Sequence, residues 1–202
     1  MGRTSKTVED RKSQILAAAL RVFADKGYDL ATNKDVARAA GITPGLIYHY
    51  FKSKRDLLLE AMEVHSPLKV FRSVTPAMLE MTPKAFLTST LREVLTVLES
   101  AEFVAMLRVF LPEAMRRGAI APPVFAAIGE ATSFLERYFR SKMKSGDLAP
   151  ADAALTSHLL LGGLMDLVLR RQVIRDAAVL KFSHAQIVDN LVSVTLEGLR
   201  PR

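Results

Sequence analysis

Tyr48 and His49 follow Thr43-Pro44-Gly45 within one short stretch, and Lys34, Lys52 and Lys54 flank it. These residue types suit contact with a polyanion. The phenol and the imidazole donate hydrogen bonds, the ammonium groups supply Coulomb attraction, and a glycine lets another backbone approach closely. Thr32 and Thr43 stand where helices would begin, and a helix start offers free backbone N–H groups and partial positive charge to phosphate. Tyr48 is therefore a candidate for a phosphate, and His49, Pro44 and Gly45 for base edges or thymine methyl groups. Other chemistries find no comparable constellation. The chain has no cysteine, and its four histidines, His49, His65, His158 and His184, show no metal-ligand spacing. A glycine-rich phosphate loop, a Gly-x-Ser-x-Gly elbow and a His-Glu-x-x-His helix are missing, and no pair of carboxylates stands out. No catalytic residue, metal or cofactor is assigned, and an enzyme is not expected.

The frame for these residues is a series of short helices. A first helix is expected from about Val8 to Lys26, with Ile15, Leu16, Ala19, Leu20 and Phe23 as one apolar stripe and Gly27 as its stop. Thr32 caps a second, with Asp35 completing a capping box and Val36, Ala37 and Ala40 on its apolar side. Ala40-Gly41-Ile42 is a tight connection. Thr43 caps a third helix that opens on Pro44 and runs to about Phe51. At about 100° per residue, Ile47, Tyr50 and Phe51 share one side of it, Gly45, Tyr48 and His49 lie opposite, and Leu46 flanks them. Ser53 and Asp56 form a capping box for a fourth helix, whose apolar face is Leu57, Leu58, Ala61 and Met62. Two short helices joined through a glycine turn are the arrangement that places the second in the DNA major groove. The basic segment Arg3–Lys12 suits phosphate or minor-groove contact, and equally a disordered solubilising tail.

Half of the 202 residues are hydrophobic, and helix formers dominate over alternating β-branched stretches, so the expected class is all-α with about nine helices. A formal net charge of +7 favours polyanionic partners. The polar Met1–Lys12 stretch is no secretory signal, and absence of cysteine suits a cytoplasmic protein. The apolar run Leu159–Leu169 contains Asp166 and is too short for a membrane span; it reads as a buried core helix. Ser66-Pro67 and Thr75-Pro76 break the pattern. Further helices are expected at about 83–100, 102–117 with a kink near Pro112, 123–145 ending at Gly146, 150–172, and 183–199.

Gly27-Tyr28, Thr32-Asn33-Lys34-Asp35-Val36-Ala37, and Ala40-Gly41-Ile42-Thr43-Pro44-Gly45-Leu46-Ile47-Tyr48-His49-Tyr50-Phe51 with Lys54 resemble the TetR-family DNA-binding signature over about residues 10–60. Asn33 departs from the family's usual apolar residue, and Leu46 from its usual Thr or Ser. The resemblance implies a three-helix DNA-binding domain at 8–62, a connecting segment at 63–82, and a helical ligand-binding and dimerisation domain at 83–202. It implies a DNA contact set of Thr32, Lys34, Thr43, Pro44, Gly45, Leu46, Tyr48, His49, Tyr50, Lys52 and Lys54. It further implies a homodimer on pseudo-palindromic double-stranded operator DNA, with a small-molecule effector and no membrane. Leu155, Leu159, Gly162, Gly163, Asp166, Ile187, Leu191 and Val194 are the expected dimer seam, against intrachain core as the alternative. Phe86, Met106, Leu107, Phe110, Phe125, Phe134 and His158 are the expected lining of a lipophilic effector site, with ordinary core packing as the alternative for each. Asp166 and Arg170 sit at ion-pair spacing on one helix. The expected function is a repressor released by its effector. A ligand-responsive activator and a nonspecific architectural DNA-binding protein stand as alternatives.

Overall fold

The computed structural model describes residues 4–115 and 121–199, and the described residues are helical without a strand. They form two compact units, one of residues 4–66 with 100–115 and 121–123, the other of residues 67–99 with 124–199.

The first unit is built on α1 (Thr4–Lys26), which packs against α2 (Asn33–Ala39), α4 (Lys54–Val64) and α8 (Ala101–Met115); α3 (Pro44–Tyr50) packs on α2. The stripe Ile15, Leu16, Ala19, Leu20 and Phe23 is buried, as its spacing requires. Gly27 ends α1 at φ 81°, and Gly41 turns the chain between α2 and α3 at φ 64°. Both conformations exclude most side chains at little cost only for glycine. Thr32 Oγ1 accepts from the Asp35 N–H at 3.2 Å, and Asp35 Oδ2 accepts from the Thr32 N–H at 3.1 Å, closing the capping box. Hydrogen bonds from Lys26 and then Thr32 hold the Asp35 carboxyl down at about 2. At α4 only the hydroxyl half of the expected box appears among the described bonds, the Asp56 N–H donating to Ser53 Oγ at 3.0 Å.

By its contacts α8 belongs to the first unit, where it packs on α1. Its face Phe103, Met106, Leu107 and Phe110 is buried. The expected end of this helix near Arg117 lies outside the described residues.

The second unit contains α5 (Leu68–Arg72), α6 (Pro76–Leu79), α7 (Pro83–Leu98), α9 (Ala121–Ser145) from Val124 on, α10 (Ala153–Val168), α11 (Ala177–Leu180) and α12 (His184–Glu197). α12 lies against α7, and α10 touches both. The short helices α5, α6 and α11 fill stretches where the sequence pattern suggests only joints. α10 starts at Ala153, its cap Asp152 accepting from the Leu155 N–H at 3.0 Å, and widens into a π-helical turn, Leu169–Ile174. Arg175 ends that turn at φ 61°, a left-handed conformation that strains a residue with a Cβ. The expected Asp166–Arg170 pair forms at 3.0 Å between two half-exposed side chains, so it adds little stability.

The expectation of a buried core helix at 159–169 is corrected. Only the stripe Ala153, Ser157, Leu160, Leu164 and Val168 is buried, while Leu155 and Leu159 face outward. Ala153–Ile174 is one continuous helical rod, long and apolar enough by length and composition to cross a membrane. The helix expected at 150–172 is found, beginning at Ala153 and continuing through the π-helical turn to Ile174.

Candidate nucleic-acid interface

α3 is sided as its spacing demands. Ile47 and Phe51 are buried, whereas Thr43, Pro44, Gly45, Tyr48 and His49 are exposed and Leu46 and Tyr50 half-buried. Tyr48 is 62% exposed, a large aromatic surface left open to water. A Cβ built at Gly45 would meet nothing within 4 Å, so packing inside the chain does not require the glycine there. Thr43 occupies the cap position without a side-chain cap hydrogen bond. The Thr43 hydroxyl therefore does not cap α3, contrary to expectation. The His49 ring meets Tyr50 edge-on at 5.2 Å between centroids.

What positions α3 lies mostly outside it. Gln14 Nε2, on α1, donates to the Ala40 carbonyl at 2.7 Å, and Arg11 Nη1 donates to Gln14 Oε1 at 2.8 Å. The Ile42 N–H donates to the Ala37 carbonyl at 3.0 Å. Together these bonds fix the turn from which α3 departs. Sequence reasoning missed Gln14, since a glutamine on an amphipathic helix carries no local sign that it reaches a residue 26 positions away.

Two basic residues have partners within the domain. Lys54 Nζ donates to the carbonyls of Tyr28, Ala31 and Asp29 at 2.6, 3.1 and 3.2 Å, and it lies 4.4 Å from the centroid of the Tyr28 ring. An ammonium has three protons, and all have partners inside the domain. Lys54 anchors the loop between α1 and α2. Lys12 pairs with Glu60 and lies 5.8 Å from the Phe51 ring centroid, so this end of the basic segment faces α4. Arg3 lies outside the described residues. Thr32, Lys34 and Lys52 are exposed.

Asn33 is half-buried at the first position of α2, and its Oδ1 has no hydrogen-bond partner. A buried carbonyl without a donor costs about 1–3 kcal/mol. Asn33→Val should therefore raise stability by about 1 kcal/mol in denaturant titration. A lower midpoint at unchanged slope would show that the amide supports α2.

The expected effector residues do not come together within one unit. Met106, Leu107 and Phe110 are buried on α8 in the first unit. In the second, Phe86 is buried with its ring stacked on Tyr138 at 4.2 Å, and Phe134 is half-buried with its ring 5.5 Å from Phe71. Phe125 and His158 are exposed, so His158 is no interior histidine in need of a partner. Of the expected seam, Leu155, Leu159 and Val194 are exposed by 57–67%, alongside exposed Gly162 and Asp166. Gly163 and Leu191 instead meet each other, a Cβ at Gly163 lying 3.6 Å from Leu191 Cδ1, which brings α10 and α12 together within the chain. Ile187 is 5% exposed and belongs to the intrachain core; it cannot form part of an outward seam.

Residues 15–61 match the family model for bacterial regulatory proteins of the tetR family, and residues 85–198 that for the AefR-like transcriptional repressor C-terminal domain. The chain is 27% identical over 220 aligned positions to the HTH-type transcriptional regulator RutR of Escherichia coli K12, covering 100% of this chain and 96% of that protein. It is 26% identical to the HTH-type transcriptional regulator AcrR of Shigella flexneri over 81% of this chain and 80% of that protein. Among solved structures, the fatty acid degradation regulator FadR of Bacillus halodurans superposes with a TM-score of 0.74 at 23% identity, covering 95% and 97% of the two chains. FadR of Bacillus subtilis, solved in complex with stearoyl-CoA, gives 0.72 at 20% identity over 93% and 98%. With an outward-facing α3 in a matching N-terminal domain and a second family match over most of the remainder, the chain belongs to the TetR family of DNA-binding transcriptional regulators.

Proposed function

We propose that two copies of the chain bind a pseudo-palindromic operator in the bacterial cytoplasm as a repressor, and that a small lipophilic effector releases them. The observation that carries this reading is the sidedness of α3. Ile47 and Phe51 hold it from within, and Gly45, Tyr48 and His49 face outward where a groove would meet them. Thr43, Pro44 and Leu46 complete the contact face, Thr32, Lys34 and Lys52 provide phosphate contacts around it, and Tyr50 stands at its edge. Two recognition helices spaced by about one turn of DNA, 34–36 Å, would read the two half-sites.

Support for a dimer comes from Leu155, Leu159 and Val194, apolar side chains that no intrachain packing covers. Support for a lipophilic effector comes from the aromatic interior of the second unit, and from the stearoyl-CoA complex of the Bacillus subtilis relative in fold. Release follows when the effector binds the DNA-incompetent state more tightly than the competent one.

Tyr48→Phe tests the contact face. Losing a hydrogen bond to a charged phosphate costs about 1.5–3 kcal/mol, so operator affinity should fall by about tenfold or more with an unchanged melting midpoint. Unchanged affinity would remove Tyr48 from the interface. Sedimentation at micromolar concentration should give a dimer, and Leu159→Lys should give a folded monomer. A monomeric wild type would defeat the two-headed reading.

A further inference from the structure

Few groups hold α3 to the rest of its unit. It is seven residues long, packs chiefly on α2, and buries only Ile47 along its length, with Phe51 buried at its C-terminal end. Its first turn has no side-chain cap. A helix anchored so sparsely takes its tilt from whatever grips its ends, and one turn of α1 reaches both. At the N-terminal end, Gln14 Nε2 donates at 2.7 Å to the carbonyl of Ala40, the C-cap of α2 and the residue before the left-handed Gly41. At the C-terminal end, Lys12 Nζ lies 5.8 Å from the ring centroid of Phe51, the C-cap of α3, and pairs with Glu60 on α4.

Arg11 decides how Gln14 is used. A side-chain amide can turn either its oxygen or its NH2 group toward a neighbour, and only the NH2 group can bond a carbonyl. Arg11 Nη1 donates to Gln14 Oε1 at 2.8 Å. A guanidinium has donors and no acceptor, so it selects the amide orientation that leaves Nε2 aimed at Ala40. Arg11 and Gln14 stand three apart on one face of α1, and both residues are exposed. Water can replace bonds made by exposed side chains, so this pair contributes little to stability. Its reach is long, since the Gln14 bond spans 26 positions to the turn from which α3 departs. What the pair controls is geometry.

We propose that Arg11 and Gln14 are positioning residues that determine sequence specificity, setting the angle at which α3 enters the major groove without touching a base. This role rests on α3 being the DNA-facing helix, as in the function proposed above. Base edges discriminate only where donor and acceptor meet in hydrogen-bond geometry, whereas nonspecific binding follows the phosphate charge. A tilt of α3 therefore weakens specific binding and spares nonspecific binding. The test uses the full chain, duplex DNA from upstream of its own gene, and a random duplex of equal length, titrated by fluorescence anisotropy over a range of salt. Gln14→Ala and Arg11→Ala should melt close to the wild type and bind random DNA with unchanged affinity and salt slope. Each should reduce the preference for the upstream duplex by about tenfold, the discrimination carried by one base contact. Arg11→Lys keeps a donor for Gln14 Oε1 and should keep the preference. Because Arg11 acts through Gln14, the double variant should lose no more than either single one. A preference that survives in Gln14→Ala, or losses that add in the double variant, would overturn the proposal. So would a salt slope reduced by about 1 in Arg11→Ala, which would make Arg11 a phosphate contact. A lower melting midpoint with the preference intact would make the pair merely structural and overturn it too. A wild type without any preference would overturn the DNA-facing reading itself, a result distinct from a loss confined to the variants.

Discussion

Arg171→Met should lower the melting midpoint by roughly 10 °C, the largest effect expected of any single change in the second unit. Arg171 Nε donates to Glu99 Oε1 at 2.5 Å, and Arg171 Nη1 donates to the carbonyls of Phe182 and Val179 at 2.6 and 3.3 Å. His184 hydrogen-bonds the other oxygen of Glu99. This cluster ties the end of α7 to the π-helical turn, to α11 and to the start of α12. The Glu99 side chain is only 7% exposed, and removing one partner of a buried pair costs about 3–5 kcal/mol because the remaining charge is left uncompensated. Burial pushes the Glu99 carboxyl up, but hydrogen bonds from Arg171 and His184, aided by the Arg171 charge and Gln172, outweigh it and hold the carboxyl below its ordinary value of 4.5. Its stabilising contribution is therefore complete above about 4.5 and disappears as pH falls through the lower, folded value. The gap between wild type and variant should narrow in acid. A gap that is constant with pH would detach the Arg171 effect from the Glu99 charge.

Lys54→Met should lower stability by about 3 kcal/mol, near 1 kcal/mol for each of the three carbonyls the ammonium serves. Methionine keeps most of the apolar stem, so the loss belongs to the charged head. Two readouts separate this role from a phosphate contact. An anchor predicts a lower midpoint with an unchanged salt dependence of DNA binding in whatever protein remains folded. A phosphate contact predicts an unchanged midpoint and a salt slope reduced by about 1.

The N-terminal elements were legible because their signals are local. Gly27 and Gly41 mark left-handed turns, Thr32 and Asp35 a capping box, and Ile47 and Phe51 the buried side of α3, all within a few residues of one another. The partners of Lys54 and Gln14 lie 23–26 residues away, and no spacing rule exposes such bonds. In the second unit apolarity alone misled. An apolar residue on a helix is written the same way whether it faces the core, as Ile187 does, or water, as Leu159 does. His158 was read as interior for the same reason, since the surrounding run is apolar on every side.

The most direct test of the DNA-facing role of α3 is the ratio of two affinities at one fixed salt concentration. Fluorescence anisotropy would compare duplex DNA from upstream of the protein's own gene with a random duplex of equal length and charge. A DNA-facing α3 predicts a preference of at least about 10³ for the upstream fragment, lost when Tyr48 and His49 are both replaced by Ala in a protein that still melts like the wild type. Equal affinity of the wild type for both duplexes, or a preference that survives the double replacement, would contradict it.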